Sequence, residues 1–293
     1  ADGSYPYVDF SQNNFDWTGA TPNANWKKTS ELTLYDVNSH GLEMSDINGN
    51  FAATRMDKDN NKIIASATHA NYNEMASSSA EFSAGNTERE GGVARGAGNA
   101  SRARAHTGEF SLLVGANDKG FSYTLKANAT DLTKKYKASV WVYAPGESES
   151  QTDLNNIKLY YSINGREIGS VNPVLQKNKS KSWYQLNIEV TPNGANDITI
   201  EVKNNTSRGI YFDDFRVHPL NGSITSSVYD SFSGELTYIL DANNFYTKFE
   251  YDAMGRLIRT SKELLNFDFG DGKESFRADQ IVNETTYRYG KSN

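Results

Sequence analysis

The chain has 293 residues, which is enough for one large domain or two ordinary ones. Its formal charge of -6 at pH 7 gives no overall attraction for nucleic acid, so we expect no nucleic-acid partner. It contains no cysteine, which excludes disulfides, thiolate metal sites and cysteine nucleophiles. Aromatic residues make up 12% of the chain, and together with many Asn, Gly and Ser residues they favour a β fold.

Residues 1–100 predict an extended N-terminal segment of short strands that wraps around the domain after it. Alternating Leu32 and Leu34 indicate one strand, and Asn48-Gly49 marks a turn. The stretch 85–106 holds almost no large apolar side chain, so we expect a mobile, Gly- and Arg-rich loop there. No apolar run reaches 18 residues, which predicts that the chain has no membrane span.

Residues 101–220 carry the strongest two-residue rhythm, from Phe110 to Val217. Such alternation puts one apolar face on each strand, and seven or eight such strands form a sandwich because each sheet must cover its apolar face. The apolar sets begin at Phe110, Phe121, Val140, Ile157, Tyr184 and Ile198.

Residues 221–293 change to closely spaced Tyr, Phe and charged side chains. Two similar units, VYDSFSGEL and EYDAMGRLI, have tyrosines at Tyr229 and Tyr251, 22 positions apart (251 minus 229). A period of this length is typical of short β repeats that stack on their neighbours. Asp271-Gly272 predicts a last hairpin.

Three of these stretches resemble known families. HTGEFSLLV (106–114) and GIYFDDFRVHP (209–219) resemble the first and last core strands of jelly-roll carbohydrate-binding modules. YDAMGRL (251–257) resembles the YD, or RHS, repeat of giant bacterial secreted proteins. The resemblance implies an all-β chain: an N-terminal wrapping segment, a jelly-roll β-sandwich and C-terminal YD-type hairpins. The order of the parts resembles the C-terminal region of surface proteins exported by a type IX secretion system.

The acidic pair Asp213-Asp214 is the most informative polar feature. If Phe215 and Val217 face the core, alternation puts Asp213 on the same side, where an unpaired carboxylate would cost several kcal/mol. In modules of the resembling type a structural Ca²⁺ sits near such a strand, which implies Asp213 and Asp214 as ligands, with Glu81 as a further carboxylate. The alternative is that Asp213 accepts backbone N–H groups at the rim of the sandwich.

Four aromatic side chains are candidates for glycan binding: Trp141, Tyr143, Tyr160 and Trp183. They are out of phase with the aliphatic sets of their strands, and exposed aromatic rings stack on the apolar faces of sugars. The alternative is that the N-terminal segment or the flank of the other sheet covers them.

The YD unit predicts structural roles. Gly255 supplies a tight turn with positive φ, Tyr251 packs across strands, and Asp252 caps the turn with its side chain. Arg256 completes the motif and is expected to make surface ion pairs more readily than to reach a partner.

No catalytic motif is present, and a glycosidase with two unrecognised carboxylates is the only enzyme alternative. We therefore expect a non-catalytic terminal region of a large secreted or bacterial cell-surface protein, serving structure, surface presentation or export. Its expected partners are secretion-system or outer-membrane proteins. The alternative function is glycan binding. Apart from the calcium ion, no cofactor is expected.

Overall fold

A computed structural model describes residues 28–81, 88–143, 154–175, 178–268, 274–275 and 279–287. These residues form an all-β protein with two short 3-10 helices, Tyr72–Glu74 and Pro173–Leu175. The strands are β1 (Ser30–Tyr35), β2 (Gly41–Asp46), β3 (Phe51–Met56), β4 (Ile63–Thr68), β5 (Ala76–Ser78), β6 (Arg89–Glu90), β7 (Val93–Ala94), β8 (Asn99–Ser101), β9 (Ser111–Val114), β10 (Lys119–Leu125), β11 (Tyr136–Tyr143), β12 (Ile157–Ile163), β13 (Arg166–Val171), β14 (Lys179–Ser180), β15 (Trp183–Val190), β16 (Ile198–Asn204), β17 (Ile210–Pro219), β18 (Ser223–Tyr229), β19 (Leu236–Leu240), β20 (Tyr246–Tyr251), β21 (Leu257–Lys262), β22 (Phe267–Asp268), β23 (Glu274–Ser275) and β24 (Gln280–Glu284).

The centre of the molecule is a jelly-roll sandwich of two sheets, as the two-residue rhythm predicts. The back sheet has the order β13-β12-β16-β10-β7-β6. The front sheet has the order β14-β15-β11-β17-β9-β8, with β5 paired to β17. The expected all-β fold class is confirmed.

The aliphatic sets of both sheets meet in one continuous core. Leu112, Val140, Leu159, Ile200 and Phe212 are all completely buried there. Burying each such side chain contributes roughly 1.5–3 kcal/mol, so this core supplies most of the stability of the sandwich.

A third sheet, which we call the meander sheet, has the order β1-β2-β3-β4-β18-β19-β20-β21-β24. Its first four strands come from the N-terminal segment and its last five from the C-terminal hairpins. The two groups join where β4 pairs with β18 and Thr68 lies opposite Ser223. The sandwich is thus inserted into one antiparallel sheet, instead of being wrapped by an independent N-terminal segment.

The sandwich also begins earlier in the chain than position 101. Strand β5 already pairs with β17, so the sandwich reaches back to Ala76. Within the stretch predicted as a mobile Gly- and Arg-rich loop, β6 and β7 extend the back sheet and β8 extends the front sheet. The loop prediction is therefore wrong for residues 88–101, because backbone pairing and the burial of Val93 in the core order a segment that has few large apolar side chains.

The meander sheet is built from a repeated turn. In six described hairpins an aspartate begins the turn, and its Oδ1 accepts backbone N–H groups of the residues that follow. A residue with positive φ comes later in each turn, where Gly, Asn and Ser are found. Within each half of the sheet the aspartates are 10 or 11 positions apart. They are Asp36, Asp46, Asp57, Asp230, Asp241 and Asp252.

Two further expectations concern the ends of the chain and the membrane. None of the helices in the described part of the chain is long and apolar enough to cross a membrane. The predicted Asp271-Gly272 turn lies outside the described residues, although β22 and β23 pair on either side of it.

Candidate functional site

Three of the four predicted sugar-binding aromatics share the outer face of the front sheet. Tyr143 lies directly opposite Trp183 in the pairing of β11 with β15, and Trp141 is on the same face of β11. Tyr160 lies in the back sheet instead, where its hydroxyl donates to Glu201 at 2.5 Å. The structure therefore brings Trp141, Tyr143 and Trp183 together and separates Tyr160 from them.

The meander sheet covers this aromatic face. Trp141 is 0% exposed and Trp183 only 5% exposed, so the expectation that they are exposed is wrong. The covering element is the hairpin turn from Asp241 to Phe245, which comes from the C-terminal strands. The Nε1 of Trp141 donates to the carbonyl of Asn244 at 2.8 Å, and Gln185 donates to the carbonyl of Asn243 at 2.5 Å.

Asn244 also binds the turn to the sandwich, with the turn as the hydrogen-bond donor. Its side-chain amide donates to the carbonyl of Asp214 at 2.8 Å and to the hydroxyl of Ser139 at 3.2 Å. Because Asn244 is itself completely buried, these bonds form without competition from water. The turn thus occupies the surface where sugars were expected.

His106 links the sandwich to the meander sheet beside this turn. Its Nδ1 lies 2.7 Å from Oδ2 of Asp214, and its Nε2 lies 2.8 Å from Oε1 of Glu263, which follows β21. Its ring stacks on Trp141 with centroids 4.2 Å apart. Burial alone would lower the pKa of His106, but the charge of Glu263 and the hydrogen bond to Asp214 outweigh it and raise the pKa to about 9. His106 is therefore a buried imidazolium clamped between two carboxylates.

The Asp213-Asp214 pair lies at a bulge in β17. The pairing of β11 with β17 shifts by one residue here, and Asp214 has a φ of +51°. As a result Phe212 and Phe215 both belong to the core, although strict alternation would put them on opposite faces, and Asp213 lies opposite Trp141 on the outer face instead of beside Phe215. The predicted core-facing position of Asp213 is therefore wrong.

Both aspartates have protein donors. Oδ2 of Asp213 accepts the backbone N–H of His106 at 2.7 Å and that of Thr107 at 3.3 Å, which is the alternative to a calcium ligand. Asp214 accepts from the hydroxyl of Thr107 at 2.8 Å as well as from His106. Burial and the charges of Asp214 and Glu81 hold the pKa of Asp213 well above its usual range.

These contacts bear on the predicted calcium ion. Among the described residues no group of three or more His, Asp or Glu side chains is placed to hold a metal. Asp214 is engaged by His106 and Thr107, so it does not suit a ligand role. The half-buried Glu81 and the buried Asp213 have neighbouring carboxyl groups whose charges oppose each other, and a hard cation between them would relieve that repulsion. Calcium at Glu81 and Asp213 stays a prediction.

A partly open cavity of about 440 Å³ lies between the sandwich and two hairpin turns of the meander sheet. The turns that begin at Asp57 and Asp230 form one side of it, and Tyr229 lies next to the second turn. Glu81, Glu90 and other sandwich residues form the opposite side. We call this the rim cavity.

Two carboxyl groups lie at the inner side of the rim cavity. Oε1 of Glu81 accepts the backbone N–H groups of Glu109 and Phe110 at 2.7 and 3.0 Å. Glu90 accepts from the hydroxyl of Ser78 at 2.5 Å. Burial raises the pKa of Glu81 to about 8 and that of Glu90 to about 7, so near neutral pH both can donate as well as accept hydrogen bonds.

Aromatic and basic side chains surround these carboxyl groups. The guanidinium of Arg102 lies 4.6 Å above the ring of Phe110 and pairs with Glu109 at 2.8 Å. The ammonium of Lys62 lies 5.0 Å from the centre of the Tyr229 ring. The rim cavity therefore combines hydrogen-bonding groups of both kinds with two aromatic rings, although no glycine, histidine or acidic motif marks it in the sequence.

The YD unit has the geometry expected of it. Gly255 has a φ of +75°, and Oδ1 of Asp252 accepts the N–H groups of Met254 and Arg256 at 2.9 and 3.1 Å. The guanidinium of Arg256 also pairs with Asp252, and the hydroxyl of Tyr251 donates to the carbonyl of Leu236 at 2.8 Å. All four residues act within the hairpin layer.

Sequence reasoning missed His106, Asn244 and Glu263 as residues that join the layers. For Asn244 a signal exists: LDANNF repeats the aspartate turn of YDAMGR eleven positions earlier, with Leu240 replacing tyrosine and Asn244 replacing glycine. For His106 and Glu263 we find no local signal, because they lie 157 positions apart in the chain.

Neither a protein-family model nor a curated protein sequence matches this chain. Among solved structures, it is similar to the CBM22-1 xylan-binding domain from Paenibacillus barcinonensis Xyn10C, with 16% identity, 49% of this chain and 92% of that chain covered, and a TM-score of 0.31. It is similar to the C-terminal family 22 carbohydrate-binding module of Clostridium thermocellum Xyn10B, with 17% identity, 52% and 97% covered, and a TM-score of 0.33. It is also similar to TmCBM61, solved in complex with β-1,4-galactotriose, with 15% identity, 42% and 82% covered, and a TM-score of 0.26.

Proposed function

We propose that this chain is a non-catalytic glycan-binding module whose binding site is the rim cavity. The supporting observation is that a cavity of about 440 Å³ is lined by Glu81 and Glu90 together with Tyr229, Phe110 and Arg102. This volume lies within the range of about 300–1,000 Å³ that is typical of small-molecule binding sites. The aromatic face of the front sheet is filled by the turn at Asp241, so the rim cavity is the open alternative.

The chemistry of the cavity suits a sugar. Sugar hydroxyls both donate and accept hydrogen bonds, and carboxyl groups with pKa values near neutrality can match either role. Lys62 and Arg102 lie over one face of the Tyr229 and Phe110 rings, so a pyranose would stack its apolar C–H face on the other face of either ring. Arg102 adds a fixed fork of donors at the rim.

The test is binding to soluble polysaccharides in affinity gels, followed by calorimetry. Xylan and β-1,4-galactan are the first probes, and a glycan array extends the search. We expect Tyr229→Ala and Arg102→Ala each to weaken binding about tenfold, which corresponds to about 1.4 kcal/mol.

The matched controls are changes of the same kind outside the cavity. Tyr287→Ala removes an exposed tyrosine and Lys126→Ala an exposed cation, and both should leave binding unchanged. Circular dichroism checks that each variant is folded. Retention on none of the polysaccharides, or equal losses in cavity and control variants, would rule out the proposal.

A second candidate is a structural part of a large cell-surface protein. The observation in its favour is that N- and C-terminal strands share one nine-stranded sheet, which lies on the aromatic face of the sandwich. A surface that is used for internal packing stiffens the chain and leaves no open platform for a ligand. Export by a type IX secretion system and contact with secretion-system or outer-membrane proteins belong to this candidate.

A reporter fused to residues 1–293 and expressed in a type IX secretor tests the export part. We expect the reporter outside the cell. A reporter retained in the periplasm would remove export and leave only the structural role.

A further inference from the structure

Phe232 is the most exposed large apolar side chain in the described part of the chain, at 99%. It follows Ser231, which lines the rim cavity together with Tyr229 and Asp230. Consecutive Cα atoms are about 3.8 Å apart, so the backbone of Phe232 lies at the border of the cavity, although its ring is not part of the lining. A ring exposed to this extent adds nothing to the core and is available to a ligand.

The repeated aspartate turn does not require an aromatic residue at this position. In five of the six described turns, the second residue after the aspartate donates its backbone N–H to Oδ1 of that aspartate, at 2.8–2.9 Å. Asn38, Asn48 and Asn243 hold this position in three of the five turns, Met254 in the fourth and Phe232 in the fifth. Since the turn uses only the N–H, it does not explain the ring, which occurs in the one turn of these five that borders the rim cavity.

The Asp230 turn holds the ring at a fixed place. Oδ1 of Asp230 accepts the N–H groups of Phe232 and of the next residue at 2.9 and 2.6 Å. The hydroxyl of Ser231 donates to Glu109 in the sandwich at 3.1 Å. Glu109 in turn pairs with Arg102, which lines the cavity. The backbone beneath the ring is therefore tied to the sandwich side of the rim cavity, so a ligand that stacks on the ring needs little ordering of the turn.

The groups around the ring are polar. Ser231 and Ser233 flank Phe232 in the chain, and the hydroxyl of Ser233 donates to Glu235 at 3.1 Å. The ammonium of Lys62 lies next to Gly234 in the same turn. One aromatic ring among hydroxyl, carboxylate and ammonium groups suits a pyranose, whose C–H face stacks on the ring while its hydroxyls bond to the polar groups. Protein and membrane contacts instead use contiguous apolar patches.

We propose that Phe232 is the platform of a second sugar subsite outside the rim cavity, so that the ligand is an oligosaccharide that continues from the cavity over the Asp230 turn. The second subsite rests on the proposed glycan function and specifies its ligand more closely. A single sugar unit would contact the cavity alone. Affinity should therefore rise with the length of the oligosaccharide until one of its units reaches Phe232.

The test is calorimetry of the full chain with xylo-oligosaccharides and β-1,4-galacto-oligosaccharides, from the monosaccharide to the hexasaccharide. In the wild-type chain we expect the hexasaccharide to bind more tightly than the shortest ligand that binds. Phe232→Ala should weaken hexasaccharide binding about fivefold, the effect of losing one stacked ring, and should leave binding of the shortest ligand unchanged.

Met254→Ala is the matched control, since Met254 holds the same position in the Asp252 turn and is 73% exposed. It should leave the affinity unchanged at every length. Phe232→Tyr keeps a ring and should bind like the wild type, whereas Phe232→Leu keeps only apolar area and should bind like Phe232→Ala. Circular dichroism checks that each variant is folded.

The possible failures separate the second subsite from the rim cavity. If Tyr229→Ala weakens binding at every length and Phe232→Ala at none, the second subsite alone is overturned. Equal losses in Phe232→Ala for the shortest and the longest ligand would also overturn it, because the ring would then belong to the cavity. A wild-type chain that binds neither series would overturn it too, and with no retention on any polysaccharide the glycan function would fall with it.

A lipid surface is the competing use of an exposed ring. Sedimentation with vesicles of phosphatidylcholine and phosphatidylglycerol tests it, and we expect neither the wild-type chain nor Phe232→Ala to sediment with them. Sedimentation of the wild-type chain but not of Phe232→Ala would assign the ring to a lipid surface and overturn the second subsite.

Discussion

The hairpin turns that begin at Asp241 and Asp252 have the same backbone and different surroundings. In each turn the aspartate N–H donates four residues ahead and its carbonyl accepts from three residues ahead, all at 2.9 Å. Asn244 holds the positive-φ position in the first turn and Gly255 holds it in the second. Asn244 is buried against the sandwich, while Gly255 lies in an exposed turn.

The comparison shows that the positive-φ position of the turn serves two purposes, which are to shape the turn and to bind it to the sandwich. The aspartate and the positive φ shape the turn, and glycine adopts a positive φ most easily. Asparagine tolerates the same φ and adds an amide that can bond to another element. The repeat therefore supplies the shape of the hairpin, and a single residue decides whether the hairpin docks on the sandwich.

The largest expected effect comes from removing Trp141, the sandwich residue on which the Asp241 turn packs. Trp141→Ala deletes a completely buried ring and should lower the free energy of unfolding by about 3–5 kcal/mol. Tyr251→Ala, in the hairpin of the free turn, should cost about 1 kcal/mol, since that side chain is only half-buried. Urea unfolding followed by circular dichroism measures both, and equal losses would contradict the comparison.

The next largest effect concerns His106, which binds Asp214 and Glu263 beside the Asp241 turn. The pKa of His106 is raised from 6.5 to about 9, so its contribution to stability is complete below pH 6.5 and is lost as the pH rises through 9. The loss is on the order of 3 kcal/mol. We expect His106→Gln to be less stable at pH 6 and to lack this loss between pH 6.5 and 9.

The half-buried carboxyl groups of Glu81 and Glu90 affect stability in the same direction as His106, over a lower pH range. Raised pKa values for Glu81 and Glu90 mean that stability falls as the pH rises from 4.5 towards 7 and 8. His106→Gln keeps this part, so the pH dependence of the two proteins should differ between pH 6.5 and 9, most clearly between pH 8 and 9 where only His106 still contributes. Melting curves across the pH range check this expectation, and curves that stay parallel from pH 6.5 to 9 would contradict it.

Exchanging the residues of the two turns gives a smaller effect. Asn244→Gly keeps the turn and removes the amide that bonds to Asp214 and Ser139, so it should cost about 1–2 kcal/mol. Gly255→Asn should cost less, about 1 kcal/mol or below, because asparagine carries only a small strain at a φ of +75° and a new Cβ would meet only the end of the flexible Glu235 side chain, at 2.8 Å. If Gly255→Asn proved the more harmful, the shape of the turn and not its bonds would decide docking.

The smallest expected effect is that of calcium. If Glu81 and Asp213 hold Ca²⁺, added calcium should raise the melting temperature by about 2–4 °C, and excess chelator should reverse the rise. Glu81→Gln should remove the response, with magnesium as the control ion. A melting temperature that ignores calcium in the wild-type chain would end the calcium prediction.

The sequence was most informative where contacts repeat along the chain. Alternation identified the core strands from Phe110 to Val217, and the YD unit predicted the geometry of Asp252 and Gly255. The alternation rule failed at Asp213, because a bulge in β17 changes which face the following side chains take and leaves no mark in the sequence composition. Alternation also could not predict that Trp141 is buried. The hairpin that covers it lies about a hundred positions away in the chain, and no local pattern contains that tertiary contact.

The insertion of the sandwich between β4 and β18 has a consequence for the order of folding. Residues 69–222 separate two strands that lie side by side, so closing the meander sheet early would mean ordering a very long loop. Once the sandwich has folded, its entry and exit strands stand next to each other and the remaining search is short. We therefore expect the meander sheet to form last during refolding, after the folded sandwich has brought β4 and β18 together.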